Sequence, residues 1–261
     1  MGRQCTCRCC TPLTRLYMIL GESRGYLESL LQNLLCSVFD GAGVDAIALV
    51  KTCVFDRAAE DLNALRRVAH GGLVTSYTLG AIMITSCDDV DEDAAKLGSI
   101  DTFTVSEEGL RCNLIMPHAL ARCIPRGYTA LIAPRYRWEA KLLIAALAHA
   151  GYHRIHVVGE QVDANLVGLT SLYNIDVNVQ TIDVAHHYYD IVDVVIDTNV
   201  LRRHSPPPRE KLIEFRLDEP NKTLPCILAH WVSRALLNWE SVFVDSARVQ
   251  ALALSLVGNR E

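Results

Sequence analysis

The sequence predicts an α/β protein of two domains with a helical C-terminal segment. Three observations lead there. Up to Ser76, short apolar runs alternate with helical spacing in the order β-α-β-α-β, which calls for a parallel sheet with helices on both faces. A second β-α-β unit occupies Ala130 to Gly159. Between the two, Pro125-Arg126-Gly127 interrupts the pattern. The chain has 261 residues, enough for one large or two modest domains.

Each element has its own justification. Leu16 to Leu20 is an apolar run ending at Gly21, which suits a buried strand. From Tyr26 to Phe39, Leu27, Leu30, Leu31, Leu34, Leu35 and Val38 recur at helical spacing. Asp40 to Gly43 is a turn, and Asp45 to Val50 a second strand. Asp56 to His70 reads as a helix, with Asp56 as N-cap and Gly71-Gly72 as its stop, before a strand at Leu73 to Ser76. Asp88 to Leu110 reads as an acidic amphipathic helix, a Gly98-Ser99 turn and a hairpin-like strand pair. Ala130 to Ala133, Trp138 to Ala150 and His153 to Gly159 form the start of a Rossmann-type half. Val162 to Tyr189 holds a helix and a strand, Asp193 to Ile196 a buried strand, and Ser205 to Pro208 a loop. Thr223 to Gly258 is mostly helical. The expected divisions are a cysteine-rich disordered start over 1–13, domains over 14–124 and 125–222, and a helical segment over 223–261.

Composition narrows the function classes. Half the residues are hydrophobic and 21% are charged, as in core-forming proteins. A net charge of −5 argues against direct nucleic-acid binding through bulk positive charge. No apolar run reaches the ~18 residues of a membrane span, and no secretory segment follows Met1. A cytoplasmic or nuclear location is therefore expected. Cys5, Cys7, Cys9 and Cys10 crowd the start, and Met1-Gly2 with Thr6 fits the loose myristoylation pattern, so membrane association would require N-terminal lipidation. The C-x-C-x-C-C run lacks the distant second pair of a zinc knuckle. Cys36, Cys53, Cys87, Cys112, Cys123 and Cys226 read as isolated buried thiols of a reducing compartment.

Other polar residues carry bland readings. His186-His187 with Asp183 and Asp190 would point to opposite faces of a strand rather than to one metal. His118, His149, His153 and His156 are single and dispersed, without a nucleophile elbow to complete a triad. Asp88, Asp89, Asp91, Glu92 and Asp93 read as a solvated helix N-terminus, and no metal is expected. Trp138, Trp231 and Trp239 read as core or interface residues.

From about Leu16 to Gly258 the chain resembles the shikimate dehydrogenases, most of all the fungal type that ends the pentafunctional arom-like polypeptide. The likeness rests on Gly72-x-Val74-Thr75, on Asp88 to Thr102 with Gly98-Ser99-Ile100-Asp101-Thr102, on the Rossmann-type unit, and on Asn238-Trp239 to Gly258. It implies a substrate domain, an NADP-binding Rossmann domain, and C-terminal helices that pack back on the first.

At the functional positions the residues differ from what the family implies. Its S-x-S-P-x-x-H-N loop, which holds the substrate carboxylate with serine hydroxyls, is matched by Tyr26 to Asn33. Only Asn33 is kept, and Glu28 would oppose a carboxylate by about 4 kcal/mol at ~4 Å and an effective dielectric of 20. Its V-T-x-P-x-K lysine falls on Leu79, four residues after Thr75. The aspartate of G-x-N-T-D falls on Met116 or Ile115, and the asparagine of A-V-N-T on Asp101. No lysine lies between Lys51 and Lys96, and no aspartate between Asp101 and Asp163, so no shift of register restores either group. The dinucleotide turn reads Ala133-Pro134-Arg135-Tyr136-Arg137-Trp138, without glycine, and the NADP-selective arginine falls on Glu160. Arg135, Arg137 and Glu160 are what remains of a cofactor site, and no cofactor is expected.

The resemblance extends to the fungal quinate repressors, which share the last three domains of the arom-like polypeptide and restrain a transcriptional activator by protein contact. It implies an inactive regulator that contacts such an activator and senses quinate or shikimate. The alternatives are an active NAD(P)-dependent shikimate or quinate dehydrogenase, with Tyr77 or Lys96 as a relocated acid-base group, and a structural remnant without ligand.

Overall fold

The computed structural model describes residues 14–159, 166 and 168–258. Glu160 and the cysteines at 5, 7, 9 and 10 lie outside the described residues. The architecture is α/β, with two sheets and a Rossmann-like second half. In the first lobe β1 (Arg15–Gly21), α1 (Tyr26–Ala42), β2 (Ala46–Thr52), α2 (Ala58–Leu65), β3 (Gly71–Val74) and α3 (Tyr77–Met83) follow one another. Then come β4 (Asp89–Val90), α4 (Glu92–Leu97), the hairpin β5 (Thr102–Ser106) and β6 (Gly109–Asn113), and α5 (Met116–Ala121). The strand order is β2-β1-β3-β5-β6-β4; β2, β1 and β3 run parallel, and β5 joins β3 antiparallel.

The second lobe holds β7 (Thr129–Ala133), α6 (Arg137–His149), β8 (Arg154–Val158), α7 (Gly168–Tyr173), β9 (Asp176–Gln180), β10 (Val194–Asp197) and β11 (Leu212–Glu214). Its five strands are all parallel, in the order β11-β10-β7-β8-β9. Alternation along β7 divides the core: Ala130 and Ile132 face the large cluster shared with the first lobe, while Leu131 and Ala133 face a smaller one. The smaller cluster is covered by a 3₁₀ segment at Ile182–Tyr188 and another at Leu201–Arg203.

Helices α8 (Leu224–Glu240) and α9 (Ser246–Gly258) return to the first lobe. Trp239 stacks on Tyr17 at 4.6 Å, and its indole N–H donates to the Phe103 carbonyl at 2.9 Å. Arg248 donates to the Gly41 carbonyl at 3.1 Å. Trp231 is buried in the core, as expected of it. Among the described residues, no helix is long and apolar enough to cross a membrane.

Several expectations are corrected. The helix expected over Asp56–His70 is shorter: Asp56 lies in a 3₁₀ turn, and Gly71-Gly72 begin β3 instead of stopping a helix. Glycine is needed there for close approach, since a Cβ on Gly72 would lie 2.4 Å from the Met18 carbonyl oxygen. The acidic helix is only α4; Asp88 and Asp89 precede it, and Asp93 is buried rather than solvated. Gly98 ends α4 in the left-handed region at φ 70°, as the Gly-Ser turn implied. β11 has no counterpart among the expected elements. His186 and His187 sit in the 3₁₀ segment, not a strand, both exposed with ring centroids 3.9 Å apart.

The cysteine reading also changes. Cys87 is bonded to Cys112 and Cys123 to Cys226, each pair with Cα atoms 6.0 Å apart; Cys36 and Cys53 are free. The pairing of β4 with β6 brings the first two together, and the packing of α5 on α8 the second two. Separations of 25 and 103 residues conceal both pairs in the sequence.

Candidate functional site

A cleft of about 390 Å³ opens where the end of β1 and the starts of α1, α3 and α6 converge, within the size range of small-molecule sites. Its walls are best understood from the two long helices that begin there.

The first is α1. A helix start leaves backbone N–H groups without partners, and Gly25, at the N-cap, offers no side chain to satisfy them. Glu28 turns back instead. Its Oε2 accepts the Gly25 N–H at 3.0 Å and its Oε1 the Thr75 hydroxyl at 2.5 Å. The carboxylate is buried, 8% exposed, and lies so close to Gly21 that a Cβ there would be 2.5 Å from Oε1. Thr75 also lies 3.2 Å from the Leu20 carbonyl, at the end of β1.

The second is α6. Its leading turn, Pro134 to Tyr136, is where a glycine-rich turn would present N–H groups to a pyrophosphate. Here Glu139 Oε2 accepts from the backbone N–H of Arg135 at 2.7 Å and of Tyr136 at 3.0 Å, and from the Thr198 hydroxyl at 2.9 Å. Thr198 in turn lies 2.8 Å from the Arg135 nitrogen. Burial pushes the Glu139 carboxyl up, against the lowering effect of these hydrogen bonds. Glu139 was missed in the sequence; its position three residues after the N-cap Tyr136, the capping-box spacing, was the available signal.

The positions matched to the family's acid-base pair do not line this cleft. Leu79 is fully buried in the first turn of α3, which Ser76 caps by accepting the Leu79 N–H at 3.3 Å. Ile115 and Met116 begin α5 and are buried. Asp101 caps that helix: its carboxylate accepts the N–H of Ile115 at 2.8 Å and of Met116 at 2.5 Å, and the Thr102 hydroxyl at 2.8 Å. Burial pushes Asp101 up to about 7 despite those bonds. The hollow beside Leu114, Met116 and Trp138 is about 40 Å³, room for a water or two.

The remaining sequence candidates divide. Tyr26 lines the cleft, whereas Asn33 is exposed on α1 and does not line it. Arg135 is exposed at the mouth, its guanidinium 5.0 Å from the Tyr136 ring. Arg137 is exposed at the start of α6, outside the lining. Tyr77 lines the cleft and stacks on Trp138 at 5.7 Å, but its hydroxyl donates to the Leu97 carbonyl and burial pushes it up to about 12. Lys96 lies elsewhere, paired with Glu92 at 2.5 Å and 4.8 Å from the Tyr173 ring. Arg216, a cation of the cleft wall, is paired with Glu219 and lies 3.6 Å from Glu214.

A second polar centre went unrecognised in the sequence. His149, the last residue of α6, meets buried Asp93 of α4 at 2.6 Å, and His118 of α5 meets the same oxygen at 3.2 Å. The two imidazoles stack at 3.9 Å, and the Tyr173 hydroxyl donates to the other carboxylate oxygen at 2.8 Å. These residues lie on four helices, so no local spacing marked them. Burial pushes the Asp93 carboxyl up, but the hydrogen bonds from His118, His149 and Tyr173 and the charge of His149 outweigh it and hold the group well below the usual range.

No family model and no curated protein matches the sequence. Solved structures do match the fold. Shikimate 5-dehydrogenase from Thermus thermophilus, in complex with NADP(H) and shikimate, aligns with a TM-score of 0.75 at 15% identity over 93% of this chain and 99% of that one. The Listeria monocytogenes enzyme, in complex with shikimate and NAD, aligns with a TM-score of 0.75 at 13% identity over 93% and 97%. A shikimate 5-dehydrogenase-like protein aligns with a TM-score of 0.67 at 14% identity over 95% and 98%. The chain therefore has the two-domain fold of these proteins.

Proposed function

We propose that this chain is a non-catalytic relative of the shikimate dehydrogenases that serves as a quinate-repressor-type regulator of quinate and shikimate metabolism. One observation carries the first half of this reading. A carboxylate of the chain itself stands at each helix start where a substrate carboxylate or a cofactor pyrophosphate would be received: Glu28 holds the Gly25 N–H and the Thr75 hydroxyl at α1, and Glu139 holds the Arg135 and Tyr136 N–H groups at α6. An incoming anion would have to displace a buried, hydrogen-bonded carboxylate and then lie beside it. A dinucleotide does not fit these residues, because the Arg135 and Tyr136 N–H groups are taken by Glu139 and the Arg135 and Tyr136 side chains stand where glycines would leave room.

Chemistry at the substrate hydroxyl needs a group that can exchange a proton, and neither Leu79 nor Met116 can. Tyr77, raised to about 12 and committed to the Leu97 carbonyl, is a poor substitute. The regulatory half rests on the resemblance to fungal quinate repressors and implies protein contact with a transcriptional activator, in the cytoplasm or nucleus.

The test is an oxidation assay with shikimate and quinate, alongside thermal-shift titrations with shikimate, quinate, dehydroshikimate, NAD and NADP. The expected result is no turnover and no stabilisation by millimolar NADP(H); measurable oxidation of either substrate overturns the proposal. A pull-down with the quinate-pathway activator should retain this chain. Failure to do so removes the regulatory half and leaves a remnant without that partner.

A further inference from the structure

On the side of the lobe junction reached by the C-terminal end of α6, a cavity of about 790 Å³ is lined by Asp93, His118, His149 and Tyr173 together with Asn113 and Arg234. One oxygen of Asp93 and one nitrogen from each histidine lie within 4.8 Å of one another. Both His–Asp separations, 2.6 and 3.2 Å, fall short of the edge of a tetrahedron with metal–ligand bonds of about 2.0–2.1 Å, which is roughly 3.3 Å. Seating an ion therefore asks the donor atoms to spread by up to about 0.7 Å and the two imidazoles, stacked at 3.9 Å, to turn toward it.

From this geometry we infer that Asp93, His118 and His149 form a binding site for a divalent transition-metal ion of the zinc class. The donor set is two imidazoles and one carboxylate, which suits zinc; magnesium and calcium favour all-oxygen sets. Asp93 is buried and its second oxygen is held by the Tyr173 hydroxyl, the kind of outer hydrogen bond that orients a ligating carboxylate. His118 is the most exposed of the three, on the cavity side, which gives an ion a path in. Asp88, Asp89, Asp91 and Glu92 on the same cavity wall attract a cation, while Lys96, Arg111 and Arg234 oppose them, and Asp88, Asp89 and Glu92 are already paired with Arg66, Arg111 and Lys96. Three protein ligands leave a fourth position open to the cavity, as in zinc sites that carry water or a small ligand. Because the ligands come from α4, α5 and α6, a bound ion ties the first lobe to the second.

The test uses zinc itself, and cobalt as its spectroscopic substitute, on the full chain carrying Cys5→Ser, Cys7→Ser, Cys9→Ser and Cys10→Ser, so that those thiols cannot compete. Calorimetry should give one zinc per chain. His118→Ala and His149→Ala should each weaken binding by at least about tenfold, and Tyr173→Phe by a smaller factor. Cobalt should give ligand-field bands without thiolate charge-transfer absorption. His118 is exposed enough for its replacement to leave the fold intact, which circular dichroism checks. Absence of stoichiometric zinc, binding indifferent to both histidine variants, or a thiolate band overturns the assignment.

Discussion

Helix α6 ends differently at its two extremities. At the first turn Glu139 folds back and accepts the N–H groups of Arg135 and Tyr136 in the turn that leads into the helix. At the last turn His149 reaches outward to Asp93 of the other lobe, beside an open cavity. Both arrangements agree with the helix dipole, an acid at the positive end and an imidazole at the negative end. They differ in what they bind: Glu139 holds N–H groups of its own leading turn, whereas Asp93 gathers two imidazoles from two other helices. The 13 residues of α6 put about 18 Å between the two situations. The positions that the resemblance matches to an acid-base pair are held by buried Leu79 and Met116, while a polar cluster stands at the far end.

The largest expected effect is at that far end. Asp93→Ala removes the acceptor of three groups at once and should cost about 2–4 kcal/mol of unfolding free energy, measured by urea denaturation. The sign of its pH dependence follows from the lowered carboxyl. Asp93 contributes stability above the ordinary carboxylate value of 3.8, and that contribution is lost as pH falls below it. The difference between wild type and variant should therefore shrink in acid. A difference that stays constant down to pH 3 would mean the carboxylate is not held by its partners.

Asp101 should behave in the opposite sense. Its carboxyl is raised from 3.8 to about 7, so the folded protein holds the proton more tightly and loses stability as pH rises through that interval. Asp101→Asn cannot titrate and should flatten the slope of stability between pH 4 and 7. Asp101→Ala, which orphans the N–H groups of Ile115 and Met116, should cost about 2–3 kcal/mol at pH 5. An unchanged slope in the asparagine variant would assign the pH dependence to other groups.

Much of the fold was legible because its signals are local. Short runs of four to seven residues gave β1, β2, β7, β8 and β10, and the leucine spacing after Tyr26 gave α1 to within a turn at its end. Short pieces escaped: β11 has three residues, too few for a period to register. The site was legible as substitutions, since Leu79 and the glycine-free turn are visible in the string, but not as an arrangement. Glu28 reads as a charge in the wrong place, and only the folded chain shows it capping its own helix and bonded to Thr75. The Asp93 cluster and the two disulfides are assembled by tertiary packing, and a single sequence carries no sign of either.

Removing the two internal carboxylates should have smaller, unequal effects. Glu139→Ala frees the Tyr136 N–H, leaves the Arg135 N–H with the Thr198 hydroxyl oxygen as its one partner and the Thr198 hydroxyl with the Ala133 carbonyl, and should cost about 1–2 kcal/mol. It should also create an anion site: inorganic pyrophosphate should raise the melting temperature of the variant and leave wild type unaffected. Equal stabilisation of both proteins would show that Glu139 does not occupy a phosphate position.

Glu28→Ser should have the smallest effect on stability, about 1 kcal/mol or less, because Glu28 satisfies a single backbone N–H and one hydroxyl that has the Leu20 carbonyl within reach as another partner. Its value lies in binding. Serine at this position withdraws the negative charge that opposes a carboxylate by about 4 kcal/mol at ~4 Å, and places a hydroxyl where the resembling loop has one. Thermal-shift titration with quinate and shikimate should therefore give stabilisation in the variant that exceeds wild type, while the oxidation assay stays silent because Leu79 and Met116 are untouched. Turnover appearing with this one change would mean that a proton-transfer group is already in place beside the cleft. Absence of any ligand response would mean that the α1 helix start has lost more of its carboxylate site than Glu28 alone accounts for, and the comparison with α6 would then rest on Glu139.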